Sequence, residues 1–241
     1  MRAEPLLSIV IPAYNEARRL PATLRRIHEF SAARSDLQPV EVLVVDDGSR
    51  DDTAASAEAS AAPNGVDVRV LRLGENRGKG AAVRTGMAAS RGAWVLISDA
   101  DLASPIEDLD VLFASGAPFV VGSRALRREL IARRQPLPRD LLGRMYNLWL
   151  RVLGLTSMAD TQCGFKLVEG NLARRLAARQ RLDGFAFDVE LLARAEREGV
   201  RVVEVPVRWR HVEESRVRPV RHGLRMVADA WRLRVWLWLG R

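Results

Sequence analysis

Short apolar runs alternate with amphipathic helical patterns along the first half of the chain. The apolar runs are rich in Val, Ile and Leu, as is typical of strands buried on both faces of a parallel sheet. Strands that alternate with helices predict an α/β fold with a mainly parallel sheet and right-handed crossovers. The predicted strands lie at 7–11, 40–45, 66–73, 94–98 and 119–121, and the predicted helices at 16–33, 51–62, 80–90 and 105–114.

The regular alternation ends after the fifth predicted strand. A basic, tryptophan-rich segment closes the chain, and we expect one domain over 1–218 followed by a C-terminal amphipathic helix over 219–241. The other predictions are loop or irregular chain at 124–138 and 161–167, helices at 139–153 and 187–198, and a strand at 200–210.

Polar or glycine-rich residues follow each predicted strand. In open parallel sheets, ligands bind beyond the carboxyl ends of the strands. We therefore expect these segments to meet at one edge of the sheet and to line a ligand site. They are PAYNE (12–16), DDGS (46–49), GENRGKG (74–80), DAD (99–101) and GSR (122–124).

Two carboxylates, Asp99 and Asp101, end an apolar run one residue apart. In extended chain, residues i and i+2 point the same way, so the two acids can share one site. Close carboxylates repel each other unless a cation neutralises them, and Mg²⁺ or Mn²⁺ with oxygen ligands does this while also binding a diphosphate. The same residues also fit an acidic turn or the cap of the helix predicted from Pro105.

Two further strand ends carry candidate chemistry. Asp46 and Asp47 can accept hydrogen bonds from a base or a ribose hydroxyl, or they can belong to a turn that caps the next helix. Gly78 and Gly80 permit the close backbone approach of a phosphate-binding turn, although the P-loop spacing is absent.

Composition narrows the class of protein. The 241 residues are 48% hydrophobic, which excludes a disordered chain, and the net charge is +8. A basic surface fits nucleic acid, anionic lipid or a nucleotide-linked substrate, but no aromatic–basic recognition module is present, so we expect no nucleic-acid partner. The single Cys163 excludes an internal disulfide, no apolar run is long enough for a transmembrane helix, and the N-terminal run predicts a strand instead of a signal peptide.

Six segments carry a resemblance to a known family. Together they resemble the family 2 glycosyltransferases, which have the GT-A fold, a Rossmann-like sheet flanked by helices. Within that family they are most similar to the dolichyl-phosphate and other polyprenyl-phosphate β-glucosyltransferases, for which DTQCGFKL (160–167) followed by FAFDVELL (185–192) is characteristic. The similarity extends over residues 7–235. The six segments are, in order, SIVIPAYNE, VEVLVVDDGSRDDT, NRGKGAAVRTGM, SDADL, VGSR and DTQCGFKL.

The resemblance implies roles for individual residues. Asp99 and Asp101 match the acidic pair, with Asp101 as the direct metal ligand and Asp99 nearer the ribose and sugar. Ala103 stands where the mannosyl relatives have a metal-binding glutamine, which disfavours a mannosyl enzyme. Asp188 is either a general base or, as we expect, a residue that orients the acceptor site or a nearby arginine. The other implied positions are Pro12, Tyr14, Glu16, Val45, Asp47, Lys79 and Ala100 for the nucleotide sugar, Arg124 for the sugar or its phosphates, and Arg210 and Arg216 for the diphosphate and the acceptor phosphate.

The implied reaction is inverting, Mg²⁺- or Mn²⁺-dependent transfer of a sugar, expected to be glucose from UDP-glucose, to dolichyl or undecaprenyl phosphate. A lipid phosphate is already an anion at neutral pH, so it needs positioning more than a general base. Three alternatives stay open: a soluble saccharide acceptor, with Asp188 or Glu190 as base; a GDP-mannose donor; and a nucleotide-binding module without catalysis.

A lipid acceptor requires contact with a membrane surface, and the C-terminal segment offers one. A helix with an apolar stripe, tryptophans and interspersed arginines can lie in the headgroup region, or it can pack on the core as an ordinary helix. The helix predicted at 139–153 is a second candidate, for which core packing is the expected role. We therefore expect a cytoplasmic protein bound peripherally to the cytoplasmic face of a membrane. The C-terminal stripe consists of Leu224, Val227, Trp231, Val235 and Trp238, with Arg221, Arg225, Arg232 and Arg234 among them.

Overall fold

The computed structural model describes residues 4–60, 66–133, 137–210 and 219–240. Nine strands and eight α-helices lie within these ranges. The strands are β1 (Leu7–Ala13), β2 (Val40–Asp46), β3 (Val66–Arg72), β4 (Trp94–Ile97), β5 (Phe119–Ser123), β6 (Ile131–Arg133), β7 (Lys166–Glu169), β8 (Val202–Pro206) and β9 (Trp209–Arg210). The helices are α1 (Leu20–Ala32), α2 (Thr53–Ala59), α3 (Lys79–Ala89), α4 (Leu109–Ala114), α5 (Leu137–Val152), α6 (Gly170–Arg179), α7 (Phe187–Arg197) and α8 (Pro219–Trp238).

Seven strands form one mainly parallel sheet in the order β3-β2-β1-β4-β7-β5-β8, which confirms the predicted α/β class. Strand β7 is the exception, because it lies antiparallel between β4 and β5. A second, two-stranded sheet pairs β6 with β9. The parallel order places the carboxyl ends of β1, β2 and β4 side by side, where a ligand site is expected.

Three local predictions are wrong. Residues 166–169, the first two of which lie in the expected irregular segment, form β7, and helix α6 was not predicted at all. The single strand predicted at 200–210 is divided into β8 and β9, which belong to different sheets. The predicted loop at 124–138 contains a short 3-10 helix, Arg128–Leu130, and then β6, while residues 134–136 lie outside the described residues.

Helix α1 begins at Leu20 and not at the predicted residue 16. The chain before it is held by the loop that precedes α2: the Glu16 N–H donates to Thr53 Oγ1 at 2.7 Å, and the Ala17 N–H donates to Asp51 Oδ2 at 3.3 Å. These backbone donors therefore have side-chain acceptors outside α1, as in a capped helix start.

The sheet separates two apolar cores. Successive side chains of a strand point to opposite faces, so Ile9 and Ile11 of β1 join one buried cluster while Val10 joins the other. The second cluster lies under α3, α6 and α7, and it includes Met87, Leu176 and Leu191. This double burial explains why the strands are continuously hydrophobic.

A third, smaller core joins α5, α7 and α8. Tyr146 and Leu150 of α5 pack there with Val189 of α7 and with Ala230 and Leu233 of α8. One face of each outer helix is thus buried, and other apolar side chains of α5 and α8 remain exposed. Within the described ranges, no helix combines the length and apolar character needed to cross a bilayer.

Candidate active site

The acidic pair lies at the end of the central strand β4. The chain turns sharply after Asp99, because Leu102 adopts a left-handed conformation with φ of 44°, which is rare for a branched side chain. The Leu102 N–H donates to Asp99 O at 3.2 Å, and Thr23 Oγ1 donates to Ala100 O at 2.6 Å. These contacts fix the backbone that carries both carboxylates.

Each acid faces a cationic side chain. Lys79 Nζ lies 2.5 Å from Asp99 Oδ1, and Arg19 NH1 lies 3.9 Å from Asp101 Oδ2. Asp101 Oδ1 also accepts the Ala103 N–H at 3.0 Å, which is the turn contact that the sequence left open. The turn contact thus uses one oxygen of Asp101, and the other oxygen faces Arg19.

The charges at this site act on one another. Burial and then the negative charge of Asp99 raise the pKa of Asp101 above its usual value. Burial disfavours the charged form of Lys79, but Asp99, Asp188 and Asp101 outweigh it and raise the pKa of Lys79. An acid pair of this kind favours a bound cation, because a cation stabilises the ionised form of both carboxylates.

Asp99 also lines a small cleft. Gly164 packs directly against the Asp99 carboxylate, so that a Cβ atom at this position would overlap Oδ2. Arg124 packs on Trp209, which lines the cleft, with its guanidinium carbon 5.5 Å from the centre of the Trp209 ring. The residues that line the cleft are Ser98, Asp99, Ala103, Ser104, Gly164, Phe165 and Trp209.

Asp47 holds the glycine-rich turn that precedes α3. Its two oxygens accept the N–H groups of Arg77 and Gly78, each at 2.8 Å, and burial raises its pKa despite these hydrogen bonds. Gly78 has a φ of 115°, and a Cβ there would overlap the carbonyl of Asp183. The glycine thus permits close packing on residues 183–184, and this turn positions Lys79 opposite Asp99.

The residues assigned to the nucleoside lie near the ends of β1 and β2. Pro12 pairs in register with Val45, and Tyr14 is partly exposed just beyond β1. Glu16 forms an ion pair with Arg19 at 3.1 Å, so it reaches the acid pair through that arginine. The Val45 side chain is fully buried in the second core, which removes it from any side-chain contact with a ligand.

Arg124 is bound to a residue whose role the sequence did not indicate. Its Nε and NH2 donate to Asp160 at 2.6 and 2.7 Å, a bidentate pair that lowers the pKa of Asp160 despite burial. The backbone N–H groups of Ala159 and Asp160 each donate to the Glu204 carboxylate at 2.8 Å and hold the Asp160 loop in place. The predicted contact of Arg124 with the sugar or its phosphates therefore requires the guanidinium to serve two partners.

Asp188 is also committed to an internal partner. Its Oδ1 lies 2.7 Å from Nζ of Lys166, which is fully buried in β7. Burial raises the pKa of Asp188 despite the nearby cations Lys166 and Lys79. The partner that the structure shows for Asp188 is thus a lysine, and its expected role in orienting the acceptor site stays a prediction. Glu190, the other candidate base, is fully buried and accepts the N–H groups of Arg181 and Leu182.

The structure describes only one of the two arginines that were assigned to phosphate binding. Arg210 has an exposed side chain in β9, and its N–H donates to Ala103 O at 2.9 Å, which places it at the rim of the cleft. Arg216 lies outside the described residues.

The donor set fits a divalent metal that is shared with a substrate. Among the described residues, no three His, Cys, Asp or Glu side chains are grouped closely enough to form a metal site by themselves. Asp99 and Asp101 supply two hard oxygen donors, as is common where Mg²⁺ also binds phosphates and water. The ammonium of Lys79 already occupies the position of a cation beside Asp99.

Comparison with solved structures identifies the class of fold. The chain superposes on glucosyl-3-phosphoglycerate synthase from Mycobacterium tuberculosis, crystallised with Mn²⁺, UDP and glucosyl-3-phosphoglycerate, with a TM-score of 0.67 over 95% of this chain and 80% of that one. The sequence identity is 23%, so this likeness establishes the GT-A fold.

Sequence comparison identifies the family. The profile of glycosyl transferase family 2 matches residues 8–142, and the chain belongs to this family. It is 40% identical to a dolichyl-phosphate β-glucosyltransferase of Drosophila melanogaster over 92% of this chain and 72% of the relative. The human enzyme of the same name is 36% identical over 94% of this chain and 78% of the relative.

Several residues at the site were not assigned a role from the sequence. Asp160, Gly164 and Lys166 all lie in the segment DTQCGFKL, so the motif itself was the available signal. Trp209 directly precedes Arg210, to which the resemblance gives a role, whereas Arg19 lies in none of the quoted segments. Only the three-dimensional structure places Trp209 in the lining of the cleft and Arg19 within 3.9 Å of Asp101.

Proposed function

We propose that this protein transfers glucose from UDP-glucose to a polyprenyl phosphate, with inversion at the anomeric carbon and with a divalent metal at Asp99 and Asp101. The observation that supports the substrates is the 40% identity to a dolichyl-phosphate β-glucosyltransferase across nearly the whole chain. The position of two acids, Asp99 and Asp101, at the end of β4 supports the metal. Donor nucleotide, metal identity and stereochemistry are parts of the same proposal.

In this reaction an oxygen of the acceptor phosphate attacks C1 of glucose. The bond from C1 to the β-phosphate oxygen breaks, and its electron pair leaves with UDP. A metal at Asp99 and Asp101 supplies charge stabilisation for the diphosphate. The acceptor is already ionised, so the reaction needs no side chain to remove a proton. This agrees with the contacts of the two candidate bases, because Asp188 forms an ion pair with Lys166 and Glu190 accepts backbone N–H groups.

A donor and acceptor panel tests the proposal. Purified protein with Mn²⁺ and radiolabelled UDP-glucose should move the label into an organic-extractable lipid when dolichyl or undecaprenyl phosphate is present. GDP-mannose and UDP-N-acetylglucosamine should give little product. Transfer to a soluble saccharide without lipid, or donor binding without turnover across the panel, would contradict the proposal and support the corresponding alternative function.

We further propose that α5 and α8 together contact the surface of the membrane that holds the acceptor. Each helix has an exposed apolar stripe on the side away from the third core. Tryptophans and exposed arginines border these stripes, as expected for a surface that meets anionic headgroups. The sequence predicted this role for the C-terminal helix over 219–241 alone, and the present proposal adds α5 to the surface. The exposed side chains are Leu141, Leu142, Met145, Leu148 and Val152 on α5, and Leu224, Val227, Trp231, Val235, Trp238 and Leu239 at α8 and just after it.

The surface adjoins the active site, which supports a lipid as its occupant. Met226 of α8 contacts Gln162 in the motif loop, with Sδ 3.8 Å from Nε2. Arg225, whose side chain is 69% exposed, lies beside Gly184 in the segment that packs on the turn before Lys79. A headgroup at this surface would therefore lie near the motif loop and near the segment that packs on the turn before Lys79. A peripheral location follows from this proposal, and the cytoplasmic face of the membrane is a further part of it.

Vesicle binding tests the surface. The Trp231→Glu/Trp238→Glu variant should bind phosphatidylcholine vesicles with 30% phosphatidylglycerol roughly tenfold more weakly than the wild type, because two interfacial anchors are lost. Val111→Glu is a matched control, since Val111 is 42% exposed on α4, away from these helices. Equal vesicle binding by all three proteins would overturn the proposal, as would a wild-type dimer that the double variant converts to a monomer without any change in vesicle binding.

A further inference from the structure

The chain contains only two lysines, and both face acids at the active site. Lys79 and Lys166 stand among 38 basic residues, all the others of which are arginines. Lys79 contacts Asp99, and Lys166 contacts Asp188. In a chain that otherwise uses arginine, the lysines mark positions where a single point charge serves better than a planar, bidentate group.

The two lysines differ in how firmly they are held. Lys166 is fully buried, and its Nζ contacts both Asp188 and the Cys163 carbonyl oxygen, each within hydrogen-bond distance. Lys79 is the first residue of α3, its side chain is 21% exposed, and its Nζ contacts Asp99. The Phe187 ring lies 5.9 Å from the same Nζ, within the range of a cation–π contact. Lys166 is thus a fully buried ion-pair partner, whereas the Lys79 side chain is partly exposed beside Asp99.

We propose that Lys79 is a displaceable counter-ion, which neutralises Asp99 before the metal binds and is released toward the donor diphosphate when the metal takes its place. This inference rests on the proposed function, because it takes the acid pair as the metal site and a nucleoside diphosphate as the leaving group. Lys79 is a positioning residue for the metal in this scheme, and it becomes a ligand of the diphosphate once displaced.

Charge compensation provides the physical reason. Asp99 and Asp101 repel each other, and a nearby positive charge offsets this repulsion. The ammonium of Lys79, 2.5 Å from Asp99 Oδ1, supplies this positive charge at the place where a divalent ion would bind. An arginine would bind the carboxylate through two parallel hydrogen bonds, as Arg124 binds Asp160, and would be harder to displace.

Binding of Mn²⁺ alone, followed by electron paramagnetic resonance in the absence of nucleotide, tests the inference. Lys79→Met keeps the alkyl stem and removes the charge, so it should bind Mn²⁺ about fivefold more tightly than the wild type, the effect of one charge at contact distance in a water-like dielectric. Lys79→Arg should bind Mn²⁺ more weakly. When Mn²⁺ is saturating, Lys79→Met should bind UDP several-fold more weakly, because the released ammonium is missing.

The opposite signs of the two effects separate this role from a structural one, which would weaken both. Arg72→Gln is the matched control for net charge, since this exposed arginine at the end of β3 pairs with Glu58. It should leave Mn²⁺ affinity within about twofold of wild type. If Lys79→Met does not fold, as judged by thermal unfolding, Lys79→Gln is measured instead.

Two outcomes are decisive and distinguishable. If Asp101→Asn loses Mn²⁺ binding while the neutral Lys79 variant binds Mn²⁺ no more tightly than wild type, the displacement role of Lys79 is wrong and the metal site stands. If Asp101→Asn binds Mn²⁺ as the wild type does, the metal site of the proposed function is wrong, and the Lys79 inference is overturned with it.

Discussion

Gly164 lies directly against the carboxylate of Asp99, although the two residues are 65 positions apart in the sequence. The Asp99 side chain fills the space that a Cβ at residue 164 would need. The motif segment that leads into β7 thus fixes the direction of the first acid of the pair, and the absence of a side chain at residue 164 is a condition for the proposed metal site.

Gly164→Ala should therefore damage the site without unfolding the protein. The added methyl group must push the Asp99 carboxylate away, so we expect Mn²⁺ affinity and glucosyl transfer to fall by at least about tenfold. Calorimetric Mn²⁺ titration and the lipid transfer assay measure the two effects. Gly143→Ala is the control, because no atom lies within 4 Å of a Cβ at this position on α5. Equal losses in the two variants would contradict the role of Gly164.

The ion pair between Asp188 and Lys166 allows a test of catalytic against structural roles. Asp188→Asn leaves a buried ammonium without its counter-charge, and we expect a loss of about 3–5 kcal/mol in the free energy of unfolding. The double variant Asp188→Leu/Lys166→Met should recover part of this loss, because a buried pair can be replaced by apolar groups of similar size. Urea unfolding measures both. If Asp188 were instead a general base, the Asp188→Asn variant would keep the stability of the wild type and lose only turnover.

Stability at low pH should depend on Glu41, which lies far from the acid pair at the start of β2. Its oxygens accept Ser8 Oγ at 2.6 Å, Arg69 NH1 at 2.8 Å and Arg91 Nε at 2.8 Å. Burial opposes ionisation of Glu41, but these contacts outweigh it and lower its pKa below the usual value of 4.5.

The sign of the effect follows from the lowered pKa. The stabilisation from ionised Glu41 is complete above pH 4.5, the ordinary value, and is lost as the pH falls through the lower pKa of the folded state. Glu41→Gln should therefore be less stable than the wild type by about 2–3 kcal/mol at pH 7, and the difference should shrink below pH 4.5. Urea unfolding between pH 3 and pH 7 measures it. A difference that is constant over this range would show that the carboxylate charge is not the cause.

The fold was largely predictable because hydrophobic periodicity reports burial directly. Strands buried on both faces appear as continuous apolar runs, and the first five were found within about two residues of their ends. The polar residues after β1, β2 and β4 were correctly expected at one edge, since a parallel sheet brings carboxyl ends together. Strand β7 was missed because Lys166, a fully buried charge, breaks the apolar run that would have marked it.

Contacts between residues far apart in the sequence limited how much of the candidate site could be predicted. The partners of Arg124 and Asp188 are Asp160 and Lys166, and no local pattern connects these residues. Similarly, Val45 lies within a motif that indicates a nucleoside site. Its side chain nevertheless points into the second core, because strand side chains alternate between faces. Residue type predicted which side chains carry chemistry, and packing determined which of them reach the cleft.

The claim on which the account depends is that Asp99 and Asp101 together hold the divalent cation that binds the donor's diphosphate. The most direct measurement is a Mn²⁺ titration in the presence of UDP, followed by electron paramagnetic resonance, on the wild type and on Asp101→Asn with unchanged thermal unfolding. We expect one UDP-dependent Mn²⁺ site in the wild type and a loss of affinity of at least about tenfold in the variant. Equal Mn²⁺ and UDP binding by the two proteins would contradict the account.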